Sequence, residues 1–328
     1  MANVILVVGE VADGELIPLT GEMLGAARKL AGASGHTVAA ALLGSGVEAK
    51  AQETIAQGAD AAYVVDDAAL AEYNSDAYLQ AALKLIEQVQ PAIVLFGQTN
   101  LGRDLAPRLA FHLNTGVIMD TTELAIEGGR LHGTRPAYGG NARAVNVVKN
   151  DPQIATVRAK SQDAAAPDAS RQGQVTKVDA AIDQSALRIK VTARKGVEAE
   201  GVRLEDADVV VSGGRGLGGP ENFGGIEQLA GALGGAVGAS RAVCDLGWRP
   251  VSDQVGLTGK VVSPTLYIAV AISGASQHMA GCSGSKNIVA INKDADANIF
   301  KASRFGIVED YAKILPPLIE AVKKEKGG

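Results

Sequence analysis

Cysteine, histidine and aromatic residues are scarce in this sequence. There are two cysteines and four histidines among 328 residues, and aromatic side chains make up 4% of the chain. Cys244 and Cys282 form no Cys-x-x-Cys pair, which disfavours both a disulfide framework and a structural zinc site. A reducing, cytoplasmic environment is therefore expected.

Long apolar runs and an excess of either charge are also missing. No run reaches the roughly 18 apolar residues that cross a bilayer, and Gly9 and Glu10 interrupt the apolar N-terminal stretch, which reads as a strand. The 31 basic and 36 acidic residues give a net charge of -5, with no basic stripe. Neither nucleic-acid binding nor direct membrane insertion is expected.

Signatures of acid, base or nucleophilic catalysis are absent as well. The sequence contains no Gly-x-Ser-x-Gly elbow, no His-Glu-x-x-His pair and no catalytic cysteine motif. We therefore predict no catalytic side chain and no metal ligand, and expect a binding site instead.

The first part of the chain alternates short apolar runs with segments of helical spacing. Strands are predicted at 4–8, 38–43, 62–65 and 93–96, and helices near 20–34, 46–57, 75–90 and 102–112. Strands that are apolar on both faces and joined by helices favour a parallel sheet covered on both sides. The N-terminal domain is predicted to be α/β.

The region 121–191 is predicted to add further strands to this domain. Runs at 124–126, 144–148 and 154–157 are separated by glycine, asparagine and proline turns, so some of these strands should be antiparallel. The polar stretch 161–174 predicts a surface loop, and 182–191 again has the composition of a strand. We place the domain boundary near 197, giving domains 1–197 and 198–328.

The second domain is also predicted to be α/β. An apolar strand from 207 runs into the glycine-rich stretch 212–219, a helix follows at about 223–235, and further strands are expected at 236–238, 266–270 and 288–291. The fold class is therefore α/β, with two domains that each have a mostly parallel sheet flanked by helices.

Two loops of this second domain could bind an anion. The stretches 212–219 and 272–278 place glycines directly after predicted strands, where backbone N–H groups can approach a phosphate. A glycine-rich turn with a purely structural role and a nucleotide site remain equally open for either loop alone. Two such loops in one domain favour a dinucleotide.

Polar side chains at the predicted strand ends are candidate ligand contacts. Arg215 offers a fork of donors suited to phosphate, and Ser240 with Arg241 follows the next strand. His278 has no catalytic partner at a recognisable spacing, so hydrogen bonding or charge tuning is its expected role. A solvated surface arginine and a satisfied structural histidine are the alternatives.

Residues 264–292, which include Ala271-Ile-Ser-Gly-Ala-Ser-Gln-His278, resemble the signature of the electron transfer flavoprotein alpha subunit. The resemblance extends to 212–217, 238–241, 254–260, 293–294 and 306–310. It implies a Rossmann-like, deoxyhypusine-synthase-like C-terminal domain that binds FAD, and a beta subunit as partner in a heterodimer. AMP or a second FAD would then belong to the beta subunit.

The resemblance also implies which residues line the FAD site. Arg241, Thr258 and His278 would face the isoalloxazine and tune its potential, and Asn292 and Asp310 would contact the ribose or adenine. The full set of implied cofactor-binding residues comprises Arg215, Ser240, Arg241, Val255, Gly256, Leu257, Thr258, Ser273, Gly274, Ala275, Ser276, Gln277, His278, Asn292, Asp310 and Tyr311.

Three departures from the family pattern stand out. The family commonly has glutamine at Leu257, glycine at Ala271, and methionine followed by a charged pair at 282–284. Leu257 would remove a side-chain hydrogen bond near the flavin. Cys282 is expected to be a small buried residue and not a ligand.

Three functions are compatible with the sequence. The first is an electron carrier that accepts electrons from flavin dehydrogenases, such as the acyl-CoA dehydrogenases of fatty acid beta-oxidation, and passes them to a quinone oxidoreductase. The second is a subunit of an electron-bifurcating complex that oxidises NADH at a second FAD. The third is a nicotinamide-dependent dehydrogenase that uses the 212–219 loop, although an acidic ribose partner about 20 residues further on is missing.

Overall fold

A computed structural model describes residues 2–140, 142–193 and 202–327 of the chain. The chain divides into two compact units, one formed by Met1–Pro136 and Arg143–Lys195, the other by Ala137–Ala142 and Gly196–Gly328. The boundary predicted near 197 lies outside the described residues, and the extents 1–197 and 198–328 stay predictions.

Among its described residues, the first unit has four helices and a main sheet of seven strands, and its remaining strands lie outside that sheet. Its strands are β1 (Ala2–Gly9), β2 (Val11–Ala12), β3 (Glu15–Leu16), β4 (Thr37–Gly44), β5 (Ala61–Asp66), β6 (Pro91–Gly97), β7 (Val117–Thr121), β8 (Glu123–Glu127), β9 (Arg130–Ala137), β10 (Ala142–Val147), β11 (Gln153–Val157) and β12 (Gln174–Lys177). Its helices are α1 (Pro18–Ser34), α2 (Ala51–Ala56), α3 (Ser75–Val89) and α4 (Asn100–His112).

All seven strands of the main sheet are parallel, in the order β12-β5-β4-β1-β6-β11-β7. Seven of the eight residues of β4 are buried, because helices cover both faces of the sheet. Two apolar clusters result, one centred on Met23 and Ile55 and the other on Phe96 and Leu85. The four strands predicted for residues 1–112 and the helices predicted near 20–34, 75–90 and 102–112 are confirmed. The helix predicted at 46–57 is confirmed in part, since a 3-10 turn, Glu48–Lys50, precedes the short helix α2.

The region 121–191 is partly as predicted. β8 pairs with β9 in an antiparallel manner, within a small sheet ordered β10-β9-β8. β11, in contrast, is a parallel strand inside the main sheet, between β6 and β7. Residues 158–173 contain neither strand nor helix, so the surface loop predicted at 161–174 is confirmed except for its last residue, which begins β12.

The strand predicted at 182–191 is wrong. This segment contains only a short 3-10 turn, Gln184–Ala186, which Asp183 caps through the N–H of Ser185. Further on, the N–H and guanidinium of Arg188 donate to the buried carboxylate of Asp76, at 3.1 and 2.6 Å. Hydrogen bonding to a charged side chain thus replaces the strand ladder that the apolar composition predicted.

The second unit has a five-stranded parallel sheet ordered β14-β13-β15-β16-β17. Its strands are β13 (Val209–Gly213), β14 (Ala236–Ala239), β15 (Leu266–Val270), β16 (Asn287–Asn292) and β17 (Phe305–Val308). Its helices are α5 (Phe223–Leu233), α6 (Arg241–Asp245), α7 (Ser276–Cys282), α8 (Ile299–Ala302) and α9 (Tyr311–Glu325). The α/β prediction is confirmed for both units.

In the described residues, no helix is both long and apolar enough to cross a membrane.

Candidate functional site

The sheet of the second unit changes its direction of winding between β13 and β15. The chain leaves β13 toward β14 on one side, whereas β15, β16 and β17 follow on the other side. In open parallel sheets, ligands bind beyond the carboxyl ends of the strands at such a switch point. The two glycine-rich stretches predicted as anion loops follow β13 and β15, and therefore meet at this point.

The two loops pack directly against each other. The N–H groups of Gly214 and Gly216 donate to the carbonyls of Val270 and Ala271, at 2.9 and 3.3 Å. A Cβ atom on Gly214 would lie 2.1 Å from the Ala271 carbonyl oxygen, so no side chain fits there. Gly214 is thus required by the contact of the first loop with the backbone at Ala271, which gives this glycine a structural role in addition to any ligand contact.

The loop after β15 leads into α7. Gly274 has a φ of 79°, and a Cβ there would lie 2.3 Å from the backbone nitrogen of Ile299. Ser273, Ala275, Ser276 and Gln277 around it are exposed. Because α7 begins at Ser276, the N–H groups of Ser276 and Gln277 precede its first internal hydrogen bonds and are available to a ligand.

A third segment, Val255 to Thr258, joins the same edge. The N–H of Val255 donates to the Ala239 carbonyl at the end of β14, at 2.9 Å, and the N–H of Leu257 donates to the Gln277 carbonyl at 2.8 Å. Gly256 is packed below α7, and a Cβ there would lie 3.1 Å from the Gln277 carbonyl oxygen. The structure therefore brings this predicted segment beside the predicted loop 273–278.

Two side chains of this third segment are exposed. Leu257 is 64% exposed. Thr258 is exposed as well, and its Oγ1 accepts a hydrogen bond from Gln254 Nε2 at 3.0 Å. Within the part of the chain that the structure describes, the Thr258 O–H has no acceptor, so it can donate to a ligand.

The predicted cationic groups lie at the ends of β13 and β14. Arg215 is exposed and forms no ion pair or hydrogen bond through its guanidinium within the described residues. Arg241 is exposed too, and its Nε donates to Asp245 Oδ2 at 3.2 Å. The N–H of Ser240 donates to the Gly213 carbonyl at 3.0 Å, which ties the end of β14 to the first loop.

Asn292, Asp310 and Tyr311 follow β16 and β17 and hold neighbouring backbone in place. Asn292 Nδ2 donates to the Ile272 carbonyl at 2.9 Å, and Tyr311 Oη donates to the Leu217 carbonyl at 2.7 Å. Asp310 caps α9 by accepting from the N–H of Ala312, at 2.9 Å. Asn292 and Tyr311 thus support the two loops, whereas the hydrogen bonds of Asp310 within the described residues are to its own helix and to the residue before it.

His278 lies below the loops, inside the unit. Its side chain is buried, and Nε2 lies 2.9 Å from Oη of Tyr267, which is fully buried in β15. Burial lowers the pKa of His278 to about 4, and a hydrogen bond with the backbone of Val255 opposes this shift.

Tyr267 was not among the residues predicted for the site. The run 266–270 reads as a core strand, and the phenol looks like core filling. The available signal was its hydroxyl, because a buried tyrosine needs a partner for its O–H. Cys282 is fully buried, as predicted, and burial raises the pKa of its thiol to about 12.

Acidic, histidine and cysteine side chains do not gather into a metal site anywhere in residues 2–140, 142–193 and 202–327. The groups that the carboxyl edge offers are instead hydrogen-bond donors: the Arg215 and Arg241 guanidiniums, the Thr258 hydroxyl and backbone N–H groups. Such a set suits a ligand rich in phosphate and carbonyl oxygens.

Comparison with known proteins points to one family. Residues 5–183 match the model of the electron transfer flavoprotein domain, and residues 203–283 match that of the electron transfer flavoprotein FAD-binding domain. The chain is 48% identical over 324 residues to an electron transfer flavoprotein subunit alpha from Thermoanaerobacterium thermosaccharolyticum, with 98% of both chains covered. It is 45% identical to the one from Megasphaera elsdenii, over 98% of this chain and 97% of the relative. The corresponding Bacillus subtilis subunit is 42% identical, with 99% and 98% covered.

Proposed function

Because this chain belongs to the family of electron transfer flavoprotein alpha subunits, we propose that it is the FAD-carrying subunit of an electron carrier. Its family implies a beta subunit as partner, and its second unit matches a FAD-binding domain. In this proposal, electrons come from flavin dehydrogenases such as acyl-CoA dehydrogenases and pass to a quinone oxidoreductase. The observation that carries it is the donor-rich edge at the switch point of the second sheet, in the unit that matches the FAD-binding model.

The residues present fit such a cofactor. Arg215 has no ion-pair partner among the described residues, and the N–H groups of Ser276 and Gln277 precede the first internal hydrogen bonds of α7. A charged guanidinium and unused backbone N–H groups form a donor set that suits a pyrophosphate. Bound FAD would supply the redox chemistry, taking up and releasing electrons, which agrees with the absence of an acid, base or nucleophile motif.

Each predicted residue has a part in holding this cofactor. Arg215 and the N–H groups of Ser276 and Gln277 would bind the pyrophosphate. Arg241 and Thr258 would donate to the isoalloxazine, and the positive charge of Arg241 would stabilise negative charge on the reduced ring. His278 would act as a neutral hydrogen-bond donor or acceptor, because its pKa of about 4 leaves it uncharged near pH 7.

The supporting residues would bind less directly. Ser240, Val255, Gly256, Leu257, Ser273, Gly274 and Ala275 would shape the groove through their backbone, and Asn292, Asp310 and Tyr311 would contact the nucleotide end. The side chain of Leu257 has no hydrogen-bond donor. The flavin would therefore have one donor fewer here than in relatives with glutamine at this position.

The test is to coexpress the chain with its beta subunit, count flavin per heterodimer, and record spectra before and after anaerobic NADH. The expected result is one FAD per heterodimer. NADH should not reduce this FAD, whereas an acyl-CoA dehydrogenase with its substrate should. Two FAD bleached by NADH would indicate the electron-bifurcating alternative. A colourless heterodimer would overturn the FAD assignment, and bound NAD without flavin would indicate a nicotinamide-dependent dehydrogenase.

A paired substitution localises the site. Arg215→Gln removes a charged donor and should weaken FAD binding by about tenfold or more, the effect of losing one charge-assisted hydrogen bond. Arg203→Gln removes another exposed arginine, which forms an ion pair with Asp206 at 3.7 Å, and should leave the affinity unchanged. Equal affinities for both variants would place the phosphates elsewhere.

A further inference from the structure

Arg249 lies at the centre of a cluster of contacts in the second unit. Its Nε and Nη2 donate to Oδ2 of Asp253 at 2.8 and 2.7 Å, and its Nη1 donates to Oε1 of Glu227 in α5 at 2.5 Å. The guanidinium also lies over the ring of Phe223, with its carbon 5.7 Å from the ring centroid. Three separate groups thus hold one side chain, of which 24% is exposed.

The contact with Phe223 leads to the first loop of the candidate site. Phe223 begins α5 and is 3% exposed. Its ring packs against Gly213, the last residue of β13, where a Cβ would lie 2.7 Å from Cζ of Phe223. Because Gly213 belongs to the glycine-rich stretch 212–219, the ring has a fixed place beside the first loop.

The contact with Asp253 leads to the third segment, Val255 to Thr258. Asp253 closes a 3-10 turn, Val251–Asp253. A single residue separates it from Val255, whose N–H is bonded to the end of β14. A side chain that holds Asp253 therefore also limits where the third segment can lie.

The chemistry of arginine suits all three contacts at once. Its guanidinium presents several N–H donors in a rigid plane, which can bond two carboxylates while its face stacks on an aromatic ring. A lysine has one compact ammonium group and offers no such plane. The cluster around Arg249 therefore depends on arginine, and not on a positive charge alone.

We propose that Arg249 is a positioning residue for the cofactor site. It ties the turn before the third segment to the helix after the first loop, and so sets the place of the Thr258 hydroxyl relative to that loop. The inference rests on the proposed function for the identity of the ligand. The fixed position of the third segment is a property of this chain alone and can be measured without the cofactor.

The first measurement follows hydrogen exchange in the heterodimer, with and without FAD. The N–H groups of Val255 and Leu257 donate to backbone carbonyls outside their own segment, so they exchange slowly as long as the segment stays in place. Arg249→Gln should speed the exchange of both groups by about fivefold or more, since it removes the tie to the turn.

Arg304→Gln is the matched control in the same unit. Arg304 also lies over a ring, that of Phe305 at 5.9 Å, and donates to Asn287 Oδ1 at 2.7 Å. It precedes β17 and therefore lies at the amino edge of the parallel sheet, opposite the candidate site. The control should leave the exchange of the third segment unchanged. Equal exchange rates in the Arg249 and Arg304 variants would overturn the proposal.

The second measurement reads the bound flavin. Arg249→Gln should weaken FAD binding by about fivefold to tenfold and shift the visible absorption bands, because the Thr258 hydroxyl no longer has a fixed place. Arg249→Lys should not restore the wild-type bands, whereas Arg304→Gln should keep both the bands and the affinity. Wild-type bands and affinity in Arg249→Gln would overturn the proposal.

A double-mutant cycle with Asp253→Asn tests the route of the effect. If Arg249 acts through Asp253, the double variant should lose less FAD affinity than the two separate losses combined. Fully additive losses would show that the two side chains act independently and would overturn the proposal. A wild-type heterodimer that binds no FAD would instead overturn the proposed function, and the exchange rates of the third segment would still decide whether Arg249 holds it.

Discussion

At Gly214, in the first loop, the backbone at Ala271 leaves no room for a side chain. A Cβ atom there would meet the Ala271 carbonyl carbon and oxygen at 2.7 and 2.1 Å, and neither can turn aside as the end of a flexible side chain could. Ala271 itself has a φ of 56°, in the left-handed region that glycine adopts at lower cost. The contact between the two loops therefore depends on which residues occupy positions 214 and 271.

We expect Gly214→Ala to destabilise the protein by about 1–3 kcal/mol, the usual cost of forcing an extra methyl group into a filled space. Because the displaced carbonyl belongs to the loop before α7, flavin content should fall as well. Urea denaturation and the ratio of flavin to protein absorbance would measure the two effects.

Gly231→Ala is the matched control for that substitution. Gly231 lies in α5 with nothing within 4 Å of its Cβ position. Alanine should stabilise the helix there by about 0.5–1 kcal/mol, with unchanged flavin content. If Gly214→Ala behaved in the same way, the close approach of the two loops would be incorrect.

Among the secondary-structure elements, the parallel strands were the most predictable from sequence. Runs such as 38–43 and 266–270 are apolar at every position, which is typical of strands in a sheet covered on both faces. The site could be predicted as far as strand ends are predictable, since Arg215, Ser240 and Ser273 follow β13, β14 and β15 directly or within three residues.

What the sequence did not predict depends on contacts between distant residues. The segment 182–191, which was predicted as a strand, is held instead by the hydrogen bond from Arg188 to Asp76, and these two residues are 112 positions apart in the sequence. The buried hydroxyl of Tyr267 in β15 likewise finds its partner on another element, in the ring of His278 in α7. Local composition does not indicate either pairing. The resemblance to a family identifies only residues that belong to the pattern of that family.

The junction between β1 and α4 contains a carboxylic acid that should titrate near neutrality. Glu10 follows β1, and its Oε1 accepts a hydrogen bond from Thr99 Oγ1 at 2.6 Å. Thr99 in turn caps α4, since its Oγ1 accepts from the N–H of Gly102 at 3.0 Å. Burial raises the pKa of Glu10 from its ordinary value of 4.5 to about 7, while the hydrogen bond from Thr99 opposes the shift.

The raised pKa of Glu10 fixes the sign of a pH effect. Between about pH 4.5 and 7 the folded chain binds a proton that the unfolded chain has released, so the free energy of unfolding falls as the pH rises through this window. Glu10→Gln keeps a similar shape without titrating. We expect the variant to gain about 1–3 kcal/mol over the wild type between pH 5 and 8.

Urea denaturation across that pH range would measure the gain. Glu87→Gln is the control, because Glu87 is exposed in α3 and its carboxylate pairs with Lys84 at 2.8 Å. The hydrogen bond from Lys84 is the main reason that the pKa of Glu87 lies below its ordinary value. This variant should therefore show no comparable trend. A parallel pH profile for Glu10→Gln and wild type would mean that Glu10 is already ionised in the folded chain.

At the scale of the whole molecule, the hydrophobic interior is divided. Two apolar clusters contain residues of the first unit only, and two others contain residues of the second unit only. Trp248 is the one tryptophan of the sequence, and it packs against a cluster of the second unit. Tryptophan fluorescence therefore reports on the second unit, whereas far-ultraviolet circular dichroism reports on both.

This division predicts that the two units respond separately to damage in their interiors. Leu85→Ala in α3 and Leu229→Ala in α5 each truncate a side chain that is at most 1% exposed, at a cost of about 2–5 kcal/mol to the unit that contains it. In urea, Leu229→Ala should lower the midpoint seen by fluorescence. Leu85→Ala should leave that midpoint in place and lower only the circular dichroism transition of the first unit. Equal shifts of both signals in both variants would show instead that the chain unfolds as one cooperative body, in which case stability in the first unit would bear directly on cofactor retention in the second.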